Sequence, residues 1–206
     1  MLLRINPENP ERRKINQVVE TLSKGGIIIY PTDTVYGIGC DIHNQKAVER
    51  VCRIKGVNPR KVNLSFVCND LSHLSDYAVP FETSIFKLMK ASLPGPYTFI
   101  LKANNNVPKL FKNNKKTVGI RIPDHPIAQD IVRGLGRPLL STSLKIEDEI
   151  LEYWNDPIDI YEYYQKLVDI VIDGGMGGLE PSTIVDFTGG SPDVIRAGAG
   201  DIALFE

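Results

Sequence analysis

The run Tyr-Pro-Thr-Asp-Thr-Val-Tyr-Gly-Ile-Gly at positions 30–39 packs Thr32, Asp33, Thr34 and Tyr36 behind an apolar stretch, Ile27-Ile28-Ile29. Convergent polar groups at the end of a buried strand line ligand pockets. Gly37 and Gly39 allow either positive φ or close approach of the backbone to a ligand. A plain polar turn, with Asp33 and the threonines bonded to their own backbone, accounts for the same letters. Further along, Ser141, Ser143, Ser182 and Thr183 add hydroxyls, while Lys55, Arg121 and Arg196 add cations. No Ser-His-Asp or Cys-His set accompanies them, and no covalent nucleophile is evident. Hydroxyls and cations without an evident base suit reactions driven by positioning and charge stabilisation, such as nucleotidyl transfer.

These groups can meet only if an α/β fold brings several strand ends together. Asn9 and Pro10 predict a helix start, with Ile15, Val18, Val19 and Leu22 on one face and Gly25-Gly26 as the stop. A strand over 27–30 then enters the polar loop, and 44–54 has the apolar spacing of a second helix. A strand is expected over 64–68, a short helix from Asp70 or Ser72, and another helix over 80–91. The Pro94-Gly95-Pro96 corner feeds a strand over 98–102. The polar, basic stretch 104–116 reads as a surface loop. Alternation over 117–123 predicts a strand bearing Arg121, followed by a helix capped by Asp124 or His125 with Pro126 near its first position. An arginine at a strand end makes a bidentate anchor for a carboxylate or a surface ion pair. Strands over 136–143 and 168–172 flank an acidic, aromatic segment at 145–166. Its acidity argues for a helical flap over the sheet rather than a base-stacking platform.

A chain of 206 residues fits one domain with a sizeable core. A net charge of −1 gives no global attraction to nucleic acid, so any RNA contact needs a local basic surface such as 53–61. Apolar runs are too short to span a membrane, and the first residues lack a signal-peptide pattern, which makes the cytoplasm the expected location. Three cysteines, Cys40, Cys52 and Cys68, argue for reduced thiols rather than a disulfide framework. Cys40 and His43 have the spacing of half a zinc site without a second pair to complete it.

The 30–41 segment closely resembles the N-terminal signature of the YrdC/YciO family, Pro-Thr-Glu-Thr-Val-Tyr-Gly-Leu-Gly. Leu93-Pro-Gly-Pro-Tyr-Thr98 is similar to the family's Trp-Pro-Gly-Pro-Leu-Thr, and Ile120-Arg-Ile-Pro-Asp-His-Pro126 to its Val-Arg-x-Pro-x-His-Pro. Asp173-Gly-Gly, Glu180-Pro-Ser-Thr-Ile-Val-Asp186 and Arg196-Ala-Gly198 resemble later elements. In the basic segment Lys55 matches, Val57 stands where an arginine is expected, and Arg60 lies three residues on as a substitute. Ser141 matches the serine of Ser-Ala-Asn, Ser143 replaces its asparagine, and Cys68 stands where a histidine is expected near the substrate. Ser-Thr-Ser with the altered basic motif resembles the YciO branch.

This resemblance implies a YrdC-like twisted mixed β-sheet flanked by helices, with a concave, positively charged cleft, as a single domain over 1–206. It implies L-threonylcarbamoyladenylate synthesis from L-threonine, bicarbonate and ATP with Mg²⁺, serving tRNA threonylcarbamoyladenosine modification. Thr32, Arg121 and Ser182 would then hold L-threonine, and Lys55, Arg60, Ser141, Ser143 and Arg196 would hold ATP. Asp33, Thr34, Tyr36, Cys68 and Thr183 would line the pocket, with no metal ligand assigned from the protein. Two other classes remain open: a double-stranded RNA or tRNA binder with weak or no synthase activity, and an enzyme adenylating a different small acid.

Overall fold

In the computed structural model, residues 1–58, 65–108, 116–145 and 153–205 are described. Strand β1 is Leu2–Arg4, followed by helix α1, Arg12–Ser23. Strands β2, Ile27–Tyr30, and β3, Gly37–Asp41, form a hairpin before α2, Gln45–Ile54. Strand β4 is Ser65–Val67, and α3, Leu74–Tyr77, and α4, Thr83–Ser92, come next. Then follow β5, Tyr97–Lys102, β6, Thr117–Arg121, α5, Pro126–Leu135, and β7, Leu139–Ser143. Helix α6, Pro157–Tyr164, precedes β8, Ile170–Asp173, β9, Thr183–Asp186, and β10, Asp193–Arg196.

The ten strands among the described residues form one mixed sheet in the order β1-β8-β2-β3-β7-β4-β6-β5-β9-β10. Its two faces follow from the period-two geometry of strands. In β2, Ile28 and Tyr30 face one apolar layer with Ile15, Val18 and Leu22 of α1 and Ile127 and Ile131 of α5. Ile27 and Ile29 face the opposite layer, which holds Val48 and Val51 of α2, Ile85 and Met89 of α4, and Ile160 and Tyr164 of α6. Such side chains stabilise by about 1.5–3 kcal/mol each when fully buried. Helix α1 ends where Gly25, at φ +85°, donates to the Leu22 carbonyl and Gly26 donates to the Thr21 carbonyl, so both last-turn acceptors are satisfied.

Several boundaries depart from the sequence expectation, each for a local reason. Helix α1 starts at Arg12 instead of Pro10, because the Asn6 N–H and the Lys14 ammonium both bond the Glu11 carboxylate and hold 6–11 as a turn. Helix α4 starts at Thr83 instead of Pro80, because the Val79 N–H is already given to the Lys102 carbonyl beside β5. The expected loop at Gly37–Gly39 is strand β3, paired with β2 on one side and β7 on the other. Neither glycine takes positive φ. A Cβ on Gly39 would lie 2.7 Å from the Leu140 carbonyl oxygen and 3.1 Å from Cε1 of Tyr30, so glycine admits the tyrosine ring beneath the strand. The acidic, aromatic segment does carry a helix, α6, with Asp156 capping the Ile158 N–H and Pro157 in the first turn. Among the described residues, no helix is long and apolar enough to cross a membrane.

Candidate functional site

Pro31 stops β2, and the 31–36 turn closes on itself. The Thr32 hydroxyl donates to the Val35 carbonyl at 2.8 Å and accepts the Thr34 N–H at 3.2 Å. This fixes Thr32, Asp33 and Thr34 around the guanidinium of Arg121, at the end of β6. Arg121 Nη2 donates to Thr34 Oγ1 at 2.6 Å, to Thr32 Oγ1 at 3.1 Å and to the Asp33 carboxylate. The other Asp33 oxygen accepts the Asp124 N–H at 3.1 Å. The turn reading holds for Thr32, and the turn serves as the cradle of Arg121. Arg121 Nε is buried and has no hydrogen-bond partner among the described residues.

Register brings the serines to the same place. Ser141 lies opposite Gly39 of β3 and Ser65 of β4, and Ser143 lies opposite Gly37. The buried Tyr30 hydroxyl donates to Ser141 Oγ at 2.7 Å. Across the cleft, Ser182 Oγ and Thr98 Oγ1 are 2.8 Å apart. Arg196, at the end of β10, donates through Nε and Nη2 to the Ser182 carbonyl at 3.1 and 2.6 Å. Arg121, Ser141, Ser143, Ser182, Arg196 and Tyr36 thus meet around one cleft with about 100 Å³ of room, completed by Ser65, Thr98, Thr142, Pro181 and Ile184. Burial, together with the charge of Arg121, pulls the Arg196 guanidinium below its ordinary pKa, while Tyr153 opposes the shift. Two guanidinium groups held this way favour an anionic occupant.

The other predicted residues, Tyr36 excepted, lie elsewhere. Thr32 and Thr34 are buried behind Arg121, outside the lining of the cleft. Thr183 is fully buried: its hydroxyl donates to the Gly200 carbonyl at 2.7 Å and accepts the N–H groups of Gly198 and Gly200, tying down the last segment. The Tyr36 hydroxyl donates to the Gly175 carbonyl at 2.7 Å, and burial raises its pKa. Cys68 does not line this cleft. It contributes instead to a separate cavity of about 150 Å³ with Asn69 and Arg137, its side chain packs in the core with Phe66 and Tyr77, and burial pushes its thiol up to about 12. Lys55 caps the C-terminus of α2 and is not among the lining residues. Burial and then the Lys145 charge pull its ammonium below the usual value. Val57 turns toward the core and packs against it. Arg60 lies outside the described residues.

Ser65 and Thr98 are cleft groups that the sequence reading passed over, and Tyr30 is a buried partner of the cleft residue Ser141 that it also passed over. Thr98 sits inside a motif whose two prolines suggested only a corner, and Tyr30 heads the 30–39 run without having been given a role of its own. The described residues contain no cluster of three or more His, Cys, Asp or Glu side chains arranged for a metal. Asp33, whose carboxylate bonds the cleft residue Arg121, also accepts the Asp124 N–H.

Comparison with known proteins agrees with this architecture. A family model, Sua5_yciO_yrdC, described as telomere recombination, matches residues 20–198. YciO of Escherichia coli, itself uncharacterised, is 45% identical over 203 residues, covering 98% of this chain and 97% of that protein. Its crystal structure superposes with a TM-score of 0.93 over 100% of this chain and 99% of that one. A threonylcarbamoyl-AMP synthase of Halorhodospira halophila is 29% identical over 179 residues, covering 86% of this chain and 92% of the relative. The crystal structure of P. abyssi Sua5 complexed with L-threonine matches with a TM-score of 0.86 at 27% identity, covering 96% of this chain and 57% of that one.

Proposed function

The chain belongs to the Sua5/YciO/YrdC family, and from that membership we propose that it makes L-threonylcarbamoyl-AMP from L-threonine, bicarbonate and ATP. The product would supply the threonylcarbamoyl group for tRNA modification. One observation carries the reading: two guanidinium groups and the hydroxyls of Ser141, Ser143 and Ser182 converge on a cleft whose neighbouring carboxylate is already spent on Arg121. Such a cleft offers donors and positive charge to an acid and a polyphosphate together. That P. abyssi Sua5 was crystallised with L-threonine on the same fold supports the amino-acid half.

In this mechanism Arg121 takes the amino-acid carboxylate, steadied from behind by Asp33, Thr32 and Thr34. The threonine amine attacks bicarbonate carbon and water leaves, giving the carbamate. A carbamate oxygen then attacks the α-phosphorus while pyrophosphate departs. Arg196, Ser141 and Ser143 stabilise the crowded phosphate oxygens, and the nucleotide extends out of the open side of the cleft. Hydroxyl oxygens are hard donors of the kind Mg²⁺ takes, so Ser143 would help to hold the Mg²⁺ that the nucleotide carries. When bound it neutralises the departing pyrophosphate charge.

The packing of Val57 against the core places no cation at that position and favours a second reading, a double-stranded RNA or tRNA binder with weak or no turnover. Pyrophosphate release with L-threonine, bicarbonate, ATP and Mg²⁺, with mass spectrometry of the adenylate, separates the two. Product dependent on all three substrates is expected. Its absence where nucleotide still binds, alongside RNA affinity falling steeply with salt, would establish the second reading.

A further inference from the structure

Tyr30 is fully buried, and its hydroxyl has one hydrogen-bond partner among the described residues, Ser141 Oγ at 2.7 Å. A buried phenol left without an acceptor is costly, and a phenol is the stronger acid of the two hydroxyls, so Tyr30 is the donor and Ser141 the acceptor. Ser141 must then send its own proton elsewhere. Its side chain lines the cleft, with no other hydrogen bond among the described residues. The strand above is shaped for this contact: a Cβ on Gly37 would lie 3.0 Å from Ser141 Oγ and 3.4 Å from the Tyr30 ring.

We propose that Tyr30 is a positioning residue that makes Ser141 an obligate hydrogen-bond donor into the cleft, selecting a phosphoryl oxygen of the nucleotide or of pyrophosphate. The inference rests on the nucleotide reading above. A free serine hydroxyl accepts as readily as it donates. With one of its two lone pairs taken by Tyr30, its proton free for the cleft and both arginines as neighbours, Ser141 sits in a surface that offers protons and so disfavours cationic groups. Tyr30 touches no substrate and acts only through Ser141.

A double-mutant cycle tests this with calorimetric titration of ATP·Mg²⁺ and of inorganic pyrophosphate into wild type, Tyr30→Phe, Ser141→Ala and the double variant, with L-threonine titrated in parallel. Tyr30→Phe keeps the ring and should weaken both phosphate ligands about 5- to 10-fold, leaving L-threonine affinity unchanged. Ser141→Ala should weaken them by a similar or larger factor, and adding Tyr30→Phe to it should cost nothing further. Additive losses, or a Tyr30→Phe variant that binds phosphates like wild type, would overturn the relay. Equal losses for L-threonine and phosphates would show only a loosened fold, and would overturn it too. If wild type itself binds neither ATP nor pyrophosphate, the nucleotide reading fails first and takes the relay's ligand with it. Should Ser141→Ala unfold, the Tyr30→Phe comparison of phosphate against L-threonine still decides.

Discussion

Arg121 and Asp33 form an ion pair in which both side chains are about one-tenth exposed, 10% for the aspartate and 11% for the arginine. The arginine that the sequence offers as an anchor for a substrate carboxylate therefore already holds a carboxylate of its own. That contact keeps the guanidinium in place and lowers its net attraction for an incoming anion.

Removing the arginine should be severe in two ways. Arg121→Ala leaves Asp33 half of an uncompensated buried pair, at a cost of about 3 kcal/mol in urea unfolding, and abolishes L-threonine binding. Retained threonine binding in a folded Arg121→Ala protein would remove the carboxylate assignment.

Asp33→Asn keeps a carbonyl oxygen for Arg121 but removes the competing charge. L-threonine should bind roughly fivefold more tightly, about 1 kcal/mol, by calorimetry. Weaker binding would mean that the Asp33 charge is needed to aim the guanidinium.

Val57→Arg would restore the family's letter but not its geometry, because position 57 packs against the core. The substitution should destabilise by about 1–2 kcal/mol and leave ATP affinity unchanged. A rise in ATP affinity would show that the segment reorients to bring this side chain into the cleft.

Lys55 should behave as an unusually nucleophilic amine, since burial and the Lys145 charge both depress its pKa. Limiting acetic anhydride near neutral pH should label Lys55 ahead of exposed Lys24, read by peptide mass spectrometry. Saturating ATP should leave that labelling unchanged, since Lys55 does not line the cleft. Suppression by ATP would extend the nucleotide site to Lys55.

Asp41 gives an acid-dependent signature. Burial pushes its carboxyl up, but the Arg137 hydrogen bonds at 2.9 Å, with the His43 N–H, overrule it and hold the pKa below the ordinary range. Its contribution is therefore complete above the unfolded value of about 3.9 and is lost as pH falls through the lower native value. Asp41→Asn should cost roughly 2 kcal/mol at pH 7 and flatten the acid limb of a urea-stability profile. An unchanged limb would assign acid unfolding to other carboxylates.

The helices and most strands were legible because their apolar periodicity is local. Strand β3 was not, since Gly37 and Gly39 read as a loop until Tyr30 is seen to occupy the space their side chains would fill. Strand β1 is three residues long and has meaning only through its pairing with β8. The hydroxyls and arginines of the cleft were recognisable in kind. Their pairings were not, because Tyr30 with Ser141, Thr98 with Ser182 and Arg121 with Asp33 are joined by register between strands distant in sequence. Cys68 stands outside the cleft for the same reason: it follows β4, and its position relative to the other strand ends is set by that register.

The strand order also sets a timetable. Strands β1 and β2 both pair with β8, which lies between them, so the first two strands made must wait for a segment beyond residue 169 before that edge closes. At about 5–20 residues per second on the ribosome, the delay is on the order of ten seconds. Throughout it, an all-apolar Ile27-Ile28-Ile29 strand keeps one unpaired edge, a template for misassociation that a nascent-chain chaperone would be expected to cover.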